Sequence, residues 1–364
     1  MIFLLAAFVV SALLTLLMAN SARLHGHISG DWDTSGPQKF HVGSVPRIGG
    51  IGIVAGVVAA ALALAWIRRD QATTAFVLLL CGAPAFIAGI AEDLTKNVSP
   101  RRRLVATAFA AALGVWLLDA AITHTTIPGL DWIVSYGVGA CLVTMFVVAG
   151  VANAVNIIDG FNGLSSMCVA LMLAAVAYVA FRVDDSFIFS FAIAGLGAVL
   201  GFFVWNYPGG RIFLGDGGAY FIGFFLAELA ILLIRRHPQV SPMFALVICI
   251  YPVFETVFSI YRRRVLRAVS PGLPDGIHLH SLVYRRLVRR CEASAGGPRQ
   301  LARRNSLTAP YLWALCLLSV VPAVLFWDNT PALHATIVVF GVVYVHLYWR
   351  IVRFKAPRWI VGRR

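Results

Sequence analysis

Apolar runs of roughly 18–22 residues recur along this 364-residue chain, and each is long enough to cross about 30 Å of hydrocarbon as a helix. No other feature constrains the fold as strongly. In lipid, every backbone N–H and C=O must be satisfied within the protein, which leaves helices or a closed barrel. Runs this long select helices. The spacing predicts spans near 1–20, 49–67, 74–91, 104–121, 132–151, 163–181, 187–205, 212–234, 243–261, 310–327 and 333–350. The first run has no basic segment before it and is read as a retained span, not a leader peptide. The expected fold is an all-α integral membrane protein of about eleven transmembrane helices. Charged residues make up only 13% of the chain, against roughly a quarter in soluble domains, which excludes an ordinary soluble globule.

The basic residues predict an orientation. On alternate sides, the loops 21–48, 92–103, 152–162, 206–211, 262–309 and the tail from 350 hold 25 of the 30 Lys and Arg residues. The other side has only Arg68, Arg69, Arg182, Arg235 and Arg236. The basic set is expected in the cytoplasm, with the N-terminus outside and the C-terminus inside. The net charge of +14 is then mostly a topology signal, with attraction to anionic membrane lipids or phosphate substrates added. Nucleic acid is a poor partner, because the basic residues border the spans. The six cysteines are scattered, five of them in spans and none in a CxxC pair, so neither disulfides nor structural zinc are expected. The whole chain, 1–364, reads as one domain, and the loop 262–309 is the only one long enough to close over a site.

Unusual polar clusters gather on the predicted cytoplasmic side. They are Gln38-Lys39-Phe40-His41 with Pro46-Arg47-Ile48-Gly49-Gly50; Glu92-Asp93 followed by Arg101-Arg102-Arg103; Asn153-Ala-Val-Asn156-Ile-Ile-Asp159-Gly-Phe-Asn162-Gly163; Phe213-Leu-Gly215-Asp216-Gly-Gly218; and Asp275-Gly-Ile-His278-Leu-His280. Each also has a plain structural reading. Glu92-Asp93 suits a helix end, Gly215-Asp216 a tight turn, Arg101 to Arg103 a positive-inside stop, and Phe213 an interfacial aromatic. Two His at i and i+2 do not share a helix face, so His278 and His280 do not read as a metal pair. Three Asn and an Asp within ten residues, however, exceed what capping needs. Carboxylate and amide oxygens beside glycines suit a Mg²⁺–diphosphate site. Ionisable groups next to a bilayer are costly and point to function. Glu228, mid-way along the run 212–234, is expected to face the bundle interior with a polar partner on a neighbouring span.

In order and spacing, these motifs resemble the polyprenyl-phosphate N-acetylhexosamine-1-phosphate transferases. The resemblance runs from His41 to His280, and Asn153-Ala-x-Asn156-x-x-Asp159-Gly-x-x-Gly163 is its most specific part. The pattern looks more like the branch acting on UDP-N-acetylhexosamines than the muramyl-pentapeptide branch. The resemblance implies a bacterial inner-membrane enzyme with a cytoplasmic active site. It would transfer a sugar-1-phosphate from a UDP-N-acetylhexosamine, UDP-GlcNAc by default, to undecaprenyl phosphate and release UMP. The products start cell-wall or O-antigen polysaccharide synthesis. The implied cofactor is Mg²⁺, with Mn²⁺ as a substitute, and a homodimer is compatible by analogy. Asp216 is the implied metal carboxylate and Asn156 a second ligand. Phe213 would stack on the uracil, and Asn162 would lie near the nucleoside. Arg103 would lie near the phosphates, and Asn153, Lys39, His41 and Asp275 would bind substrate. Glu92 and Asp93 match the acidic pair, with Asp93 as base or phosphate-positioning group, and His278 and His280 match the loop that closes on the diphosphate. Asp159 is either a covalent nucleophile or an orienting group. Four departures stand out: Glu-Asp for Asp-Asp at 92–93, Asn162 for a common Asp, Thr107 for a Gln and Ser281 for a third His.

Three other classes compete. A transporter of anionic nucleotide-sugars explains the spans and the basic face, but predicts internal repeats and helices interrupted at mid-membrane. A transferase acting on CDP-alcohols needs a denser run of carboxylates on one helix. A scaffold leaves the one-sided polar clusters without a purpose.

Overall fold

The computed structural model describes residues 1–22, 30–31, 45–266, 276–288 and 298–353. They form fourteen α-helices among the described residues: α1 (Ile2–Asn20), α2 (Gly49–Ile67), α3 (Arg69–Thr95), α4 (Pro100–Leu118), α5 (Leu130–Val134), α6 (Gly137–Ile157), α7 (Leu164–Arg182), α8 (Ser186–Asn206), α9 (Gly215–Arg236), α10 (Met243–Ile248), α11 (Ile250–Tyr261), α12 (Leu279–Val283), α13 (Pro298–Leu325) and α14 (Thr330–Val352). The strands β1 (Gly30–Asp31) and β2 (Val45–Pro46) make one short antiparallel pair. Nine of these helices are long and apolar enough to cross a membrane. The protein is therefore an all-α multi-pass membrane protein.

Two of the eleven expected spans differ from the other nine. Helix α4 has the length of a span but opens with Arg101-Arg102-Arg103. It is capped by Ser99, which accepts from the Arg102 N–H, and Pro100 sits in its first turn, where the missing N–H costs nothing. The run 243–261 splits into α10 and α11 at Cys249. Pro252 explains the break, because it has no N–H for the Ile248 carbonyl and its ring crowds that carbonyl. The expected span at 132–151 also shifts. Helix α6 continues to Ile157, so Asn153 and Asn156 ride its last turn and are not in a loop. At i and i+3 they share one face. Likewise Glu92 and Asp93 close the last turn of α3.

Helix α9 is the axis of the bundle. Every residue from Gly215 to Leu233 is buried, and α2, α3, α6 and α7 pack around it. Outward faces carry bare apolar side chains: Phe146 is 79% exposed and Val138 75%, as lipid-facing positions require. Trp66 and Trp116, at the C-terminal ends of α2 and α4, are also exposed, at the helix ends opposite the one that carries Asp216. Glu228 does face the interior. Its carboxyl lies over Gly114 of α4, where a Cβ would collide with it. Among the described residues neither of its oxygens has a hydrogen-bond partner, so the expected polar partner is not seen.

Small residues let α9 start deep between its neighbours. A Cβ on Gly89 of α3 would lie 2.5 Å from Cα of Gly217 and 2.6 Å from its N, both backbone atoms that cannot swing aside. Gly89→Ala is expected to push the first turn of α9 off α3. Overpacking of this kind costs about 1–3 kcal/mol, and a lowered thermal unfolding midpoint in detergent is the measurement. An unchanged midpoint would show that the close approach is not tight.

Candidate active site

Helix ends build the site. The N-terminal ends of α2, α4 and α9 meet the C-terminal ends of α3 and α6, and the turn 158–163 between α6 and α7 closes one side. The chain at 46–50 runs beside 213–214 as a short ladder. The Phe213 N–H donates to the Pro46 carbonyl (2.8 Å), and the Gly49 and Gly50 N–H groups donate to the carbonyls of Phe213 and Leu214 (both 3.0 Å). This ladder fixes Arg47 beside the start of α9. Gly215 has φ +75°, and a Cβ there would fall 2.5 Å from Asp93 Oδ2, so this turn needs glycine.

Asp216 stands in the first turn of α9. Its Oδ1 accepts from Asn156 Nδ2 at 2.7 Å and from Arg47 Nη2 at 3.4 Å, and its Oδ2 pairs with Arg103 Nη1. The Arg103 guanidinium lies 5.5 Å over the Tyr220 ring, and the Tyr220 hydroxyl donates to Asn153 Oδ1 at 3.1 Å. Thr107, the residue in place of a Gln, donates to the Arg103 carbonyl (2.9 Å) one turn back.

Asp93 is fully buried. Its Oδ1 accepts from the Asp216 N–H (2.9 Å) and its Oδ2 from the Gly217 N–H (2.8 Å), with Arg47 Nε 3.6 Å away. The carboxylate thus caps α9 from a neighbouring helix, where N–H groups lack intrahelical partners and the dipole favours an anion.

Asp159 sits in the turn after α6 and accepts from Ser165 Oγ. Its residue keeps some exposed surface, yet protein atoms crowd the carboxyl, and burial pushes it up to about 6. The Ser165 hydrogen bond and the charge of Arg47 oppose that rise, while the charge of Asp216 adds to it. Next along the turn, Gly160 faces His280, whose Nε2 would lie 3.3 Å from a Cβ there. Phe161 meets the His280 ring edge-on at 5.5 Å. His278 stacks on His280 with ring centroids 5.2 Å apart.

The structure therefore draws Asp93, Asn153, Asn156, Asp159, Asp216, Arg103, His278 and His280 into one region, with Phe213 at its edge. Two expected residues are spent elsewhere. Glu92 accepts from the Val98 N–H (2.7 Å) and ties the α3–α4 turn. Asn162 donates from Nδ2 to the Pro208 carbonyl (3.1 Å), and its N–H donates to Asn305 Oδ1 (2.8 Å), which pins the turn to α13. Lys39, His41 and Asp275 lie outside the described residues.

Residues 75–234 match the family model described as glycosyl transferase family 4. A protein of Bacillus subtilis (strain 168) named probable undecaprenyl-phosphate N-acetylglucosaminyl 1-phosphate transferase is 27% identical over 285 residues, 77% of each chain. The undecaprenyl-phosphate alpha-N-acetylglucosaminyl 1-phosphate transferase of Thermotoga maritima is 28% identical over 261 residues, 70% of this chain and 73% of that one. The phospho-N-acetylmuramoyl-pentapeptide-transferase of Geobacillus kaustophilus is 31% identical over 210 residues, 54% of this chain and 64% of that one. Residues 75–234 thus carry a glycosyl transferase family 4 segment.

The matched segment holds Asp93, the 153–163 turn and Asp216, but ends before His278. Three groups of the site carry little signal in the sequence. Arg47 was visible only as a basic residue before Gly49-Gly50, and its pairing with two carboxylates depends on the backbone ladder. Tyr220 lies one turn past Asp216, a helical spacing that could have flagged it. Asn206 accepts from the Gly163 N–H (2.6 Å) and donates to the Ile212 carbonyl (2.8 Å), bridging both motif loops. Nothing in its local sequence marks it.

Asp93→Asn tests the cap. An amide offers one acceptor where two backbone N–H groups need two, and an unsatisfied buried donor costs about 1–3 kcal/mol. The variant is expected to unfold at lower temperature in detergent. Loss of activity with an unchanged midpoint would instead make Asp93 a participant in the chemistry.

Proposed function

We propose that this protein transfers an N-acetylhexosamine-1-phosphate from a UDP-sugar, UDP-GlcNAc by preference, to undecaprenyl phosphate, giving a polyprenyl-diphosphate sugar and UMP. The carrying observation is Asp216 at the start of a buried helix, ringed by Asn156, Arg47 and Arg103, with Asp159 in the adjoining turn. The relatives named for N-acetylglucosaminyl 1-phosphate transfer align over more of this chain than the muramoyl-pentapeptide one, which supports the sugar class. The basic loops support an active site on the cytoplasmic face of a bacterial inner membrane, with eleven crossings, the N-terminus outside and the C-terminus inside. We read the whole chain as one transferase unit, with the 262–309 segment closing over the donor.

The donor set fits Mg²⁺. Asp216 and Asn156 offer hard oxygen ligands. Among the described residues no group of three His, Cys, Asp or Glu stands ready to hold a metal, and Mg²⁺ characteristically takes one or two carboxylates and completes its shell with water and substrate phosphates. Mn²⁺ suits the same donors. When bound, the ion supplies charge compensation to the diphosphate.

The chain's own residues do the rest. An oxygen of the lipid phosphate attacks the sugar-side phosphorus, and the bond to the bridging oxygen breaks, leaving its electron pair on UMP. Two anions must meet, so positioning and charge carry the rate. Arg103 and Arg47 already face the carboxylate and are placed to donate to phosphate oxygens. Phe213 lies at the edge, where a uracil ring could stack. Asp93 is occupied by backbone N–H groups, so it acts by holding Asp216 in place. A phosphate monoester is mostly ionised near neutral pH, its second pKa being about 6, so the attacking oxygen needs no strong base. That leaves Asp159 as an orienting anion in a one-step transfer.

Purified protein with undecaprenyl phosphate, Mg²⁺ and radiolabelled UDP-GlcNAc should put label in the organic phase with one UMP per lipid product. EDTA should abolish it, and Asp216→Ala should lower it by at least about 10²-fold. Release of UDP in place of UMP would overturn the reading.

The pH profile gives a second test. Asp159 is raised to about 6, so its carboxylate is lost as pH falls through that value, together with the second ionisation of the lipid phosphate. The acid limb of kcat/KM should therefore be steeper than one proton in the wild type. In Asp159→Asn it should be single-proton, with residual turnover. Complete loss of turnover with a trapped lipid-free phosphosugar on the wild-type enzyme would establish the covalent route instead.

A further inference from the structure

Glu255 has no role in the site described above, yet it is the most heavily engaged buried carboxylate outside it. It lies on α11 about one turn beyond Pro252 and is 2% exposed. Its Oε1 accepts from His278 Nδ1 at 2.9 Å and from the Leu279 N–H at 3.0 Å. Its Oε2 accepts from the Tyr344 hydroxyl of α14 at 2.7 Å. A carboxylate accepting from Leu279 N–H and Tyr344 O–H is acceptor-only toward its third partner, so His278 carries its proton on Nδ1. A carboxylate deep in a bilayer protein is costly, and packing alone would be served better by an apolar residue.

The contacts run onward to the reaction centre. His278 stacks on His280 with the ring planes 14° apart. His280 abuts Gly160 and Phe161, the turn that carries Asp159. The other titratable groups facing this carboxyl are Tyr251 on its own helix and His280.

We propose that Glu255 is a positioning residue for the transfer reaction: it fixes the ring plane and the Nδ1–H tautomer of His278, and through the stacked pair sets His280 against the Asp159 turn. This rests on the sugar-1-phosphate transfer proposed above. Outer partners that fix a histidine's tautomer in metal sites change function by about 10–100-fold when removed, and a similar loss is the expectation here.

A double-mutant cycle tests it. Glu255→Gln keeps the shape and removes the charge. It should lower kcat for UDP-GlcNAc about 10–100-fold. In a His278→Ala background the same change should cost less than about 3-fold, since the group it acts through is gone. Thermal unfolding of all four proteins is measured alongside. Equal fold-losses in both backgrounds would overturn the proposal and make Glu255 a general packing element. The second readout does not need turnover. In ¹⁵N-histidine-labelled protein, the His278 resonances, assigned by their loss in His278→Ala, should show Nδ1 protonated and should shift in Glu255→Gln. An unshifted resonance overturns the pairing. If the wild type transfers no sugar phosphate from any UDP-N-acetylhexosamine while the resonance still shifts, the proposed function fails and the Glu255–His278 pair stands.

Discussion

The site depends on one interaction above the others, the Asp93 carboxylate seated on the N–H groups of Asp216 and Gly217. Those N–H groups have no intrahelical partner, and the start of a helix carries partial positive charge. Buried as they are, they need a partner from the protein. Asp93 supplies it from α3, and in doing so locks the axial helix to its neighbour at the level of Asp216. The glycines follow from this. Gly89 and Gly217 bring the two backbones close enough for a side chain as short as Asp to reach. Gly215 supplies the left-handed turn that delivers the chain to the cap. A Glu at 93 would be too long for the same gap, which gives the Glu-Asp order of this pair a physical meaning. Residue 92, on the neighbouring face, is free to be Glu and ties the α3–α4 turn instead.

Capping accounts for Asp93, but it does not account for the charges around it. Helix α4 starts with three arginines, against the polarity of its own dipole. A stop signal at the membrane surface explains the exposed Arg101 and Arg102. It does not explain Arg103, which is buried and drawn inward to Asp216. Arg47 is brought to the same place by a backbone ladder from a different part of the chain. Three carboxylates and two guanidinium groups share the region, and each arginine can exchange a carboxylate oxygen for a phosphate oxygen without leaving its charge unpaired. That exchange would let the site take phosphate groups as the proposed reaction requires.

Most of the architecture was legible because hydrocarbon imposes long apolar runs with little room for ambiguity. The motif 153–163 was legible because its polar content exceeds capping needs. What escaped was mostly set by backbone geometry. That α6 carries Asn153 and Asn156 on its last turn could not be told from a polar loop by composition. The split at Cys249 follows from Pro252, but an apolar run containing one Pro reads equally well as a kinked span. Asn162 looked like part of the site because it shares the motif, whereas tertiary contacts with Pro208 and Asn305 claim its hydrogen bonds. Glu255 did carry a signal, as an acidic residue within an apolar run. Its meaning depends on His278 and Tyr344, 23 and 89 residues away along the chain.

Glu228 and Glu255 show how the bilayer separates structural from functional polarity. Both are buried acids in apolar stretches, and sequence alone does not rank them. Glu228 lies against the Gly114 backbone with no hydrogen bond among the described residues, on a stretch of α9 three turns away from Asp216. Glu255 has three donors from two other parts of the chain and a line of contacts to the Asp159 turn. Holding three donors on one carboxylate constrains α11, α12 and α14 at once, and stability alone does not demand it, since apolar residues of similar volume commonly pack as well or better. A network with that many fixed partners persists where the orientation of a side chain matters. The orientation fixed here is that of His278 and, through it, His280, which abuts the turn that carries Asp159.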